Sequence, residues 1–203
     1  PHRRQLGLEL GDDLGAVRLF HRVGKLSDHA FVGSGLLIKI ADAHRRLGFL
    51  SESIQHYQGV LKGQASQDMK EDALHGLGET YLGQRDWLAA RQAFTKYRIL
   101  HPNGRWRAEV QAGLVQVHAA QHQWDTGIKH ARRFLQLFPQ HLQALEVKRG
   151  LATILLAQGK PQGKREAIAL LVEIERKGGI AHREARLAFA DVLLNEQQVD
   201  EAL

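Results

Sequence analysis

Residues 81–94 read YLGQRDWLAARQAF, and their beat decides the fold. From Trp87 a small residue follows at Ala90, a packing residue at Phe94 and a proline at Pro102. The same steps return in HAAQHQWDTGIKHARRF, residues 118–134, where Trp124 is followed by Gly127, Ala131 and later Pro139. A single helix has no reason to repeat these intervals. A chain built from copies of one supersecondary unit does, because each copy must solve the same packing problem.

Working outward, Leu74, Leu77, Gly78 and Tyr81 fall at helical spacing, as do Trp87, Ala90, Phe94 and Tyr97. Each set puts one apolar face inward. GQRD is the polar turn between them, and Pro102 with Asn103-Gly104 stops the second helix. The unit is helix, turn, helix, turn. The next copy carries Leu114, Val115 and His118, then Trp124, Ile128, Ala131 and Phe134. The preceding copy carries Leu37, Ile40, Ala41 and His44, then, past Gly48, Ser53, Ile54, Tyr57 and Val60. A fourth has Leu151, Ala152 and Leu155, then a turn GKPQGK that reads as lengthened, then Ala167, Ile168, Leu171 and Ile174 before Gly178-Gly179. The units fall at about 34–70, 71–107, 108–144 and 145–182, with partial units at 1–33 and 183–203. Stacked arrays need polar capping units. Neither end supplies a clean one, so the expectation is a piece of a longer array.

This pattern resembles the tetratricopeptide repeat (TPR) family, most closely over 71–104 through Leu74, Leu77, Gly78, Tyr81, Ala90, Phe94 and Pro102. The other copies depart from it: Val115, His118 and Gly127 in one, Ala41, His44 and Ser53 in another, stand where the family has glycine, tyrosine and alanine. The resemblance implies an all-α solenoid of stacked antiparallel helix hairpins, a right-handed superhelix with the first helices on its concave side. A narrower resemblance, to bacterial lipopolysaccharide-assembly TPR scaffolds, rests on RRLGFLSESIQHYQ, LGETYLGQRDWLAARQAF and QHQWDTGI. The anchor and zinc module of those scaffolds have no counterpart in these residues.

The chemistry that the residues exclude is as informative. The 203 residues contain no cysteine, which removes disulfides, thiolate zinc sites and cysteine nucleophiles. No apolar run is long enough to span a bilayer, so this segment inserts in no membrane. No targeting motif is visible. No serine sits in a nucleophile-elbow sequence. GSG at 33–35 lacks the lysine and length of a phosphate loop. His118 and His122 have i, i+4 spacing, which can bind a metal on one helix. They have no third ligand and no intervening glutamate, so a packing role is expected. No catalytic residue, cofactor or metal is assigned, and the chain reads as a non-enzyme.

The net charge of +6 permits acidic partners. Arg91, Lys96, Arg98, Arg105 and Arg107, with Tyr97 and Trp106 interleaved, then Lys129, Arg132 and Arg133, suggest an alternative, an RNA-binding helical repeat. A second alternative is the repeat module of a larger enzyme. The favoured reading is a protein-interaction scaffold that binds a peptide or partner helix in its groove. In the family's register the groove positions fall on Asp42, Arg45, Arg46, His75, Glu79, Gln116, Arg149 and Thr153. The family's asparagine-based carboxylate clamp is not expected, because Asn103 and Asn195 both fall outside the middle groove. The setting implied is bacterial. The segment itself reads as cytoplasmic, with membrane tethering or a periplasmic location resting on other parts of a longer protein. The oligomeric state stays open.

Overall fold

A computed structural model describes residues 33–177 and, singly, Gly15. The expected partial units at 1–33 and 183–203, and the Gly178-Gly179 stop, lie outside the described stretch. The described residues form eight α-helices and no strand: α1 (Ser34–Arg46), α2 (Leu50–Lys62), α3 (Gln67–Gly83), α4 (Trp87–Leu100), α5 (Arg107–Ala120), α6 (Trp124–Leu137), α7 (Ala144–Gln158) and α8 (Pro161–Lys177). They pair in sequence as antiparallel hairpins. The protein is an all-α helix-hairpin repeat of the TPR type.

The turn inside each hairpin is the most regular feature. Gly48, Arg85, His122 and Gly159 all have left-handed backbone, with φ of 83, 59, 56 and 70°. They recur every 37 residues. The lengthened fourth turn expected from GKPQGK does not occur. Pro161 is the first residue of α8, so only Gly159 and Lys160 link α7 to α8. The physical reason is that a proline at the first helical position loses only an N–H that no helical carbonyl would have used.

The chain divides into two compact units, Pro1–Gly113 and Leu114–Leu203, with the division inside α5. In the first unit the core is Ile40 and Ala41 of α1, Tyr57 and Val60 of α2, Leu74 and Leu77 of α3, and Ala90, Phe94 and Tyr97 of α4, all buried. Gly78 lets α3 approach α4: a Cβ there would collide with the ring of Phe94, itself wholly buried. Two helix starts are capped by side chains. Ser66 accepts from the Met69 N–H at 3.3 Å and Asp86 from the Ala89 N–H at 3.0 Å. In the second unit Val115, Ile128, Ala131, Phe134, Leu151, Leu155, Leu171 and Ile174 form the core. Val60, Tyr97, Phe134 and Leu171 share one repeat position, and all four are buried.

Candidate partner-binding face

In the first unit, α1 and α3 carry five of the expected groove residues. Asp42 and Arg45 sit one turn apart on α1, with Arg45 Nη2 3.8 Å from Asp42 Oδ1. Tyr57 of α2 donates its hydroxyl to the same Asp42 oxygen at 2.5 Å. Burial, and then the Asp42 carboxylate, hold the Tyr57 phenol well above its usual pKa. Arg46 is exposed at the last residue of α1.

On α3, His75 Nε2 is 3.9 Å from Glu79 Oε1, one turn on. The two shift in opposite senses. Burial, and then the Arg45 guanidinium, lower His75 to about 4, so its imidazole is neutral at pH 7. Burial raises Glu79, Arg45 opposes the rise and Glu109 adds to it. The structure thus brings Arg45 of α1 into the field of both α3 residues. Neither Arg45 Nε nor His75 Nε2 has a hydrogen-bond partner, although both atoms are buried. Such groups are costly where they stand.

Three residues of this site escaped the sequence reading. Asp72 lies three residues before His75 and seven before Glu79, on the same α3 face. It accepts the Trp106 indole N–H at 2.7 Å and the Arg105 Nε–H at 3.0 Å, and forms an ion pair with Arg105. Helical spacing alone could have found Asp72. Trp106 stacks on His75, with ring centroids 4.4 Å apart and planes 4° from parallel. Nothing local in the sequence announces that contact. Glu71 holds it in place. Its buried Oε1 accepts the Tyr97 hydroxyl at 2.6 Å and the Arg105 backbone N–H at 2.6 Å. The Tyr97 oxygen in turn accepts the Trp106 backbone N–H at 2.8 Å. One buried carboxylate therefore fixes the turn that delivers Trp106 and Arg105 to α3.

The same contacts bear on the basic, aromatic-interleaved stretch. Tyr97 is fully buried with its hydroxyl engaged, so it has no face to offer a nucleic-acid base. Trp106 gives a face to His75, and Arg105 is paired with Asp72.

In the second unit, the expected residues are Gln116, exposed on α5, and Arg149 and Thr153 on α7. Arg149 pairs with Glu146 on its own helix, and Thr153 returns its hydroxyl to the Arg149 carbonyl at 3.0 Å. No cluster like that around His75 gathers about these three among the described residues. Of the i, i+4 histidine pair, only His118 lies on α5. His122 lies beyond the end of α5, in the left-handed turn, edge-on to Trp124. The left-handed backbone turns the chain before a second ligand could line up with the first. His118 is buried, stacks on His130 at 5.0 Å and meets Gln123 through Nδ1 at 2.7 Å. No group of three or more metal-binding side chains gathers among the described residues. No described helix is long and apolar enough to cross a membrane.

Solved structures with similar folds are TPR proteins. MamA has a TM-score of 0.67 at 17% identity, covering 82% of this chain and 91% of its own. A thermophilic TPR protein of Thermus thermophilus has a TM-score of 0.61 at 18% identity, covering 94% of each chain. A tetratricopeptide repeat protein of Parabacteroides merdae has a TM-score of 0.69 at 13% identity, covering 98% of this chain and 77% of its own. At these identities the likeness concerns the fold. No curated protein matches the chain in sequence. Residues 67–174 match the family model described as YfiO, outer membrane lipoprotein, and on that match over more than half its length the chain belongs to this TPR-like family.

Proposed function

We propose that the protein is a non-catalytic interaction scaffold of the bacterial envelope, acting in the assembly of envelope components such as lipopolysaccharide. On this reading, a peptide or helix of a partner protein lies on the face that carries Asp42, Arg45, Arg46, His75 and Glu79. Gln116, Arg149 and Thr153 are proposed separately as contact residues of the second unit. TPR-like repeats mediate protein–protein interactions, and the family description supports an envelope setting in which the chain is periplasmic or membrane-tethered.

The observation that carries the proposal is the cluster of Arg45, His75 and Glu79. Three titratable side chains from two first helices are half-buried, His75 and Glu79 lie 3.9 Å apart, and Arg45 Nε and His75 Nε2 are buried without a hydrogen-bond partner. A purely structural surface would leave such groups in water. A recognition surface gains by holding them desolvated and fixed, because the partner then supplies the missing bonds without further ordering.

Site-specific photo-crosslinking in cells tests this. A crosslinking residue is placed at Arg46 or Gln116, both exposed, and at exposed Gln55 of α2 as a control. Capture of a protein from Arg46, and independently from Gln116, but not from Gln55 is expected. Loss of the Arg46 capture in an Arg45→Glu/Glu79→Lys variant that keeps its helical circular dichroism would place the contact on this face. Equal capture from Gln55, or recovery of RNA alone, would overturn the proposal.

A further inference from the structure

The second helix α4 differs from the other second helices. It contains Arg91, Lys96 and Arg98 and no aspartate or glutamate, whereas α2, α6 and α8 all contain carboxylates. It also holds three of the seven large apolar side chains exposed among the described residues: Leu88 at 51%, Ile99 at 72% and Leu100 at 56%. Leu88, Gln92, Thr95 and Ile99 fall at i, i+4, i+7 and i+11, one stripe along the helix. Arg91 and Lys96 flank it.

This stripe is not flat. Arg91, Gln92, Thr95, Lys96, Ile99 and Leu100 line an open recess of about 460 Å³. Arg91 and Lys96 are among its lining residues and bring positive charge to it. An apolar trough with cationic lining residues selects a complementary shape and charge. We propose that the outer face of α4 is a second docking surface, which takes an acidic amphipathic helix of a protein partner. The apolar stripe of such a helix enters the trough and its carboxylates meet Arg91 and Lys96, a recurrent way of seating a helix in a groove. A second copy of this chain is disfavoured as occupant, because a two-fold contact would set Arg91, Lys96 and Arg98 against themselves. A lipid surface has no use for the concavity. The proposal does not depend on the residues of α1 and α3 described above.

The test is selection of helix-forming peptides, displayed on phage, on the full chain. The expected winners carry apolar residues at i, i+3 or i+4 and i+7, flanked by Asp or Glu. Their affinity should fall at least about tenfold in Ile99→Ser and in Lys96→Glu/Arg98→Glu, weaken with salt, and survive Arg46→Glu. Ile99, Lys96 and Arg98 are exposed, so these variants should fold. Winners that are neutral or basic, winners indifferent to the α4 variants, or no enrichment would overturn the proposal. So would phosphatidylglycerol vesicle binding lost in Ile99→Ser, which assigns the face to lipid. A dimer lost in Ile99→Ser would assign it to a second copy and overturn the proposal as well.

Discussion

Replacing Tyr97 with phenylalanine removes one oxygen and leaves the packing of α4 intact. That oxygen has two roles at once. It donates to the buried Glu71 carboxylate at 2.6 Å and accepts from the Trp106 N–H at 2.8 Å. A hydrogen bond to a charged group contributes about 1.5–3 kcal/mol, and a neutral one about 1 kcal/mol. The ring stays, so no cavity term is added. Tyr97→Phe should therefore cost about 3 kcal/mol. Tyr57→Phe is the matched control: its hydroxyl also donates to a carboxylate, but Asp42 is 34% exposed and water can replace the lost donor. About 1 kcal/mol is expected there. Urea denaturation followed by circular dichroism would read the difference. With a slope of about 2 kcal/mol per molar, the midpoint should fall by about 1.5 M for Tyr97→Phe and by about 0.5 M for Tyr57→Phe. Acrylamide quenching of tryptophan fluorescence should rise in the first variant only, as Trp106 loosens from His75. If Tyr97→Phe costs no more than Tyr57→Phe, the Glu71 pin is not what positions the turn.

His75 should make stability sensitive to acid. Its pKa is about 4 when folded and 6.5 when free, so the unfolded chain takes up its proton first as the pH falls. Stability from this group is complete above pH 6.5 and is lost between pH 6.5 and 4, by on the order of 3 kcal/mol at most. Glu79, raised when folded by burial, acts in the opposite sense and offsets part of that loss. A His75→Gln variant should flatten the profile between pH 6.5 and 4 in urea titrations, and an unchanged slope would contradict the assignment. Gly78→Ala should be destabilising by about 1–2 kcal/mol in thermal melts, because the strain against Phe94 outweighs the helical gain of alanine. The turns give a paired test by the same measurement. Gly48→Ala should cost about 1 kcal/mol, with φ at 83° and open space around the new Cβ, while Arg85→Gly should be neutral or slightly stabilising. Absorbance titration of the three tyrosines should show two that ionise well above the usual range, Tyr57 and Tyr97.

The repeat was legible in the sequence because its packing positions are few and obey one rule. Phe94 needs Gly78 beside it, and a step of 37 residues carries Val60 to Tyr97, Phe134 and Leu171. The family's register nominates Asp42, Arg45, His75 and Glu79, and each pair sits one turn apart on its own helix. GKPQGK misled for the opposite reason. Its glycines and proline look like punctuation, yet Gly159 serves as the left-handed turn residue and Pro161 opens the next helix, so composition could not reveal the register. The role of Trp106 was hidden more deeply. It lies 31 residues from His75, outside any helical face, and reads as one more aromatic in a basic run. What brings it to α3 is a carboxylate at Glu71, whose burial nothing in its own stretch of sequence announces. Burial turns that carboxylate into an acceptor of the Tyr97 hydroxyl and the Arg105 N–H, and Tyr97 in turn holds the Trp106 N–H. A buried charge must be hydrogen-bonded to persist, so once Glu71 is inside, the turn has little choice about where its backbone goes. The candidate site thus inherits its geometry from a residue that belongs to the core, and changes at Glu71 or Tyr97 should alter partner binding without touching the partner.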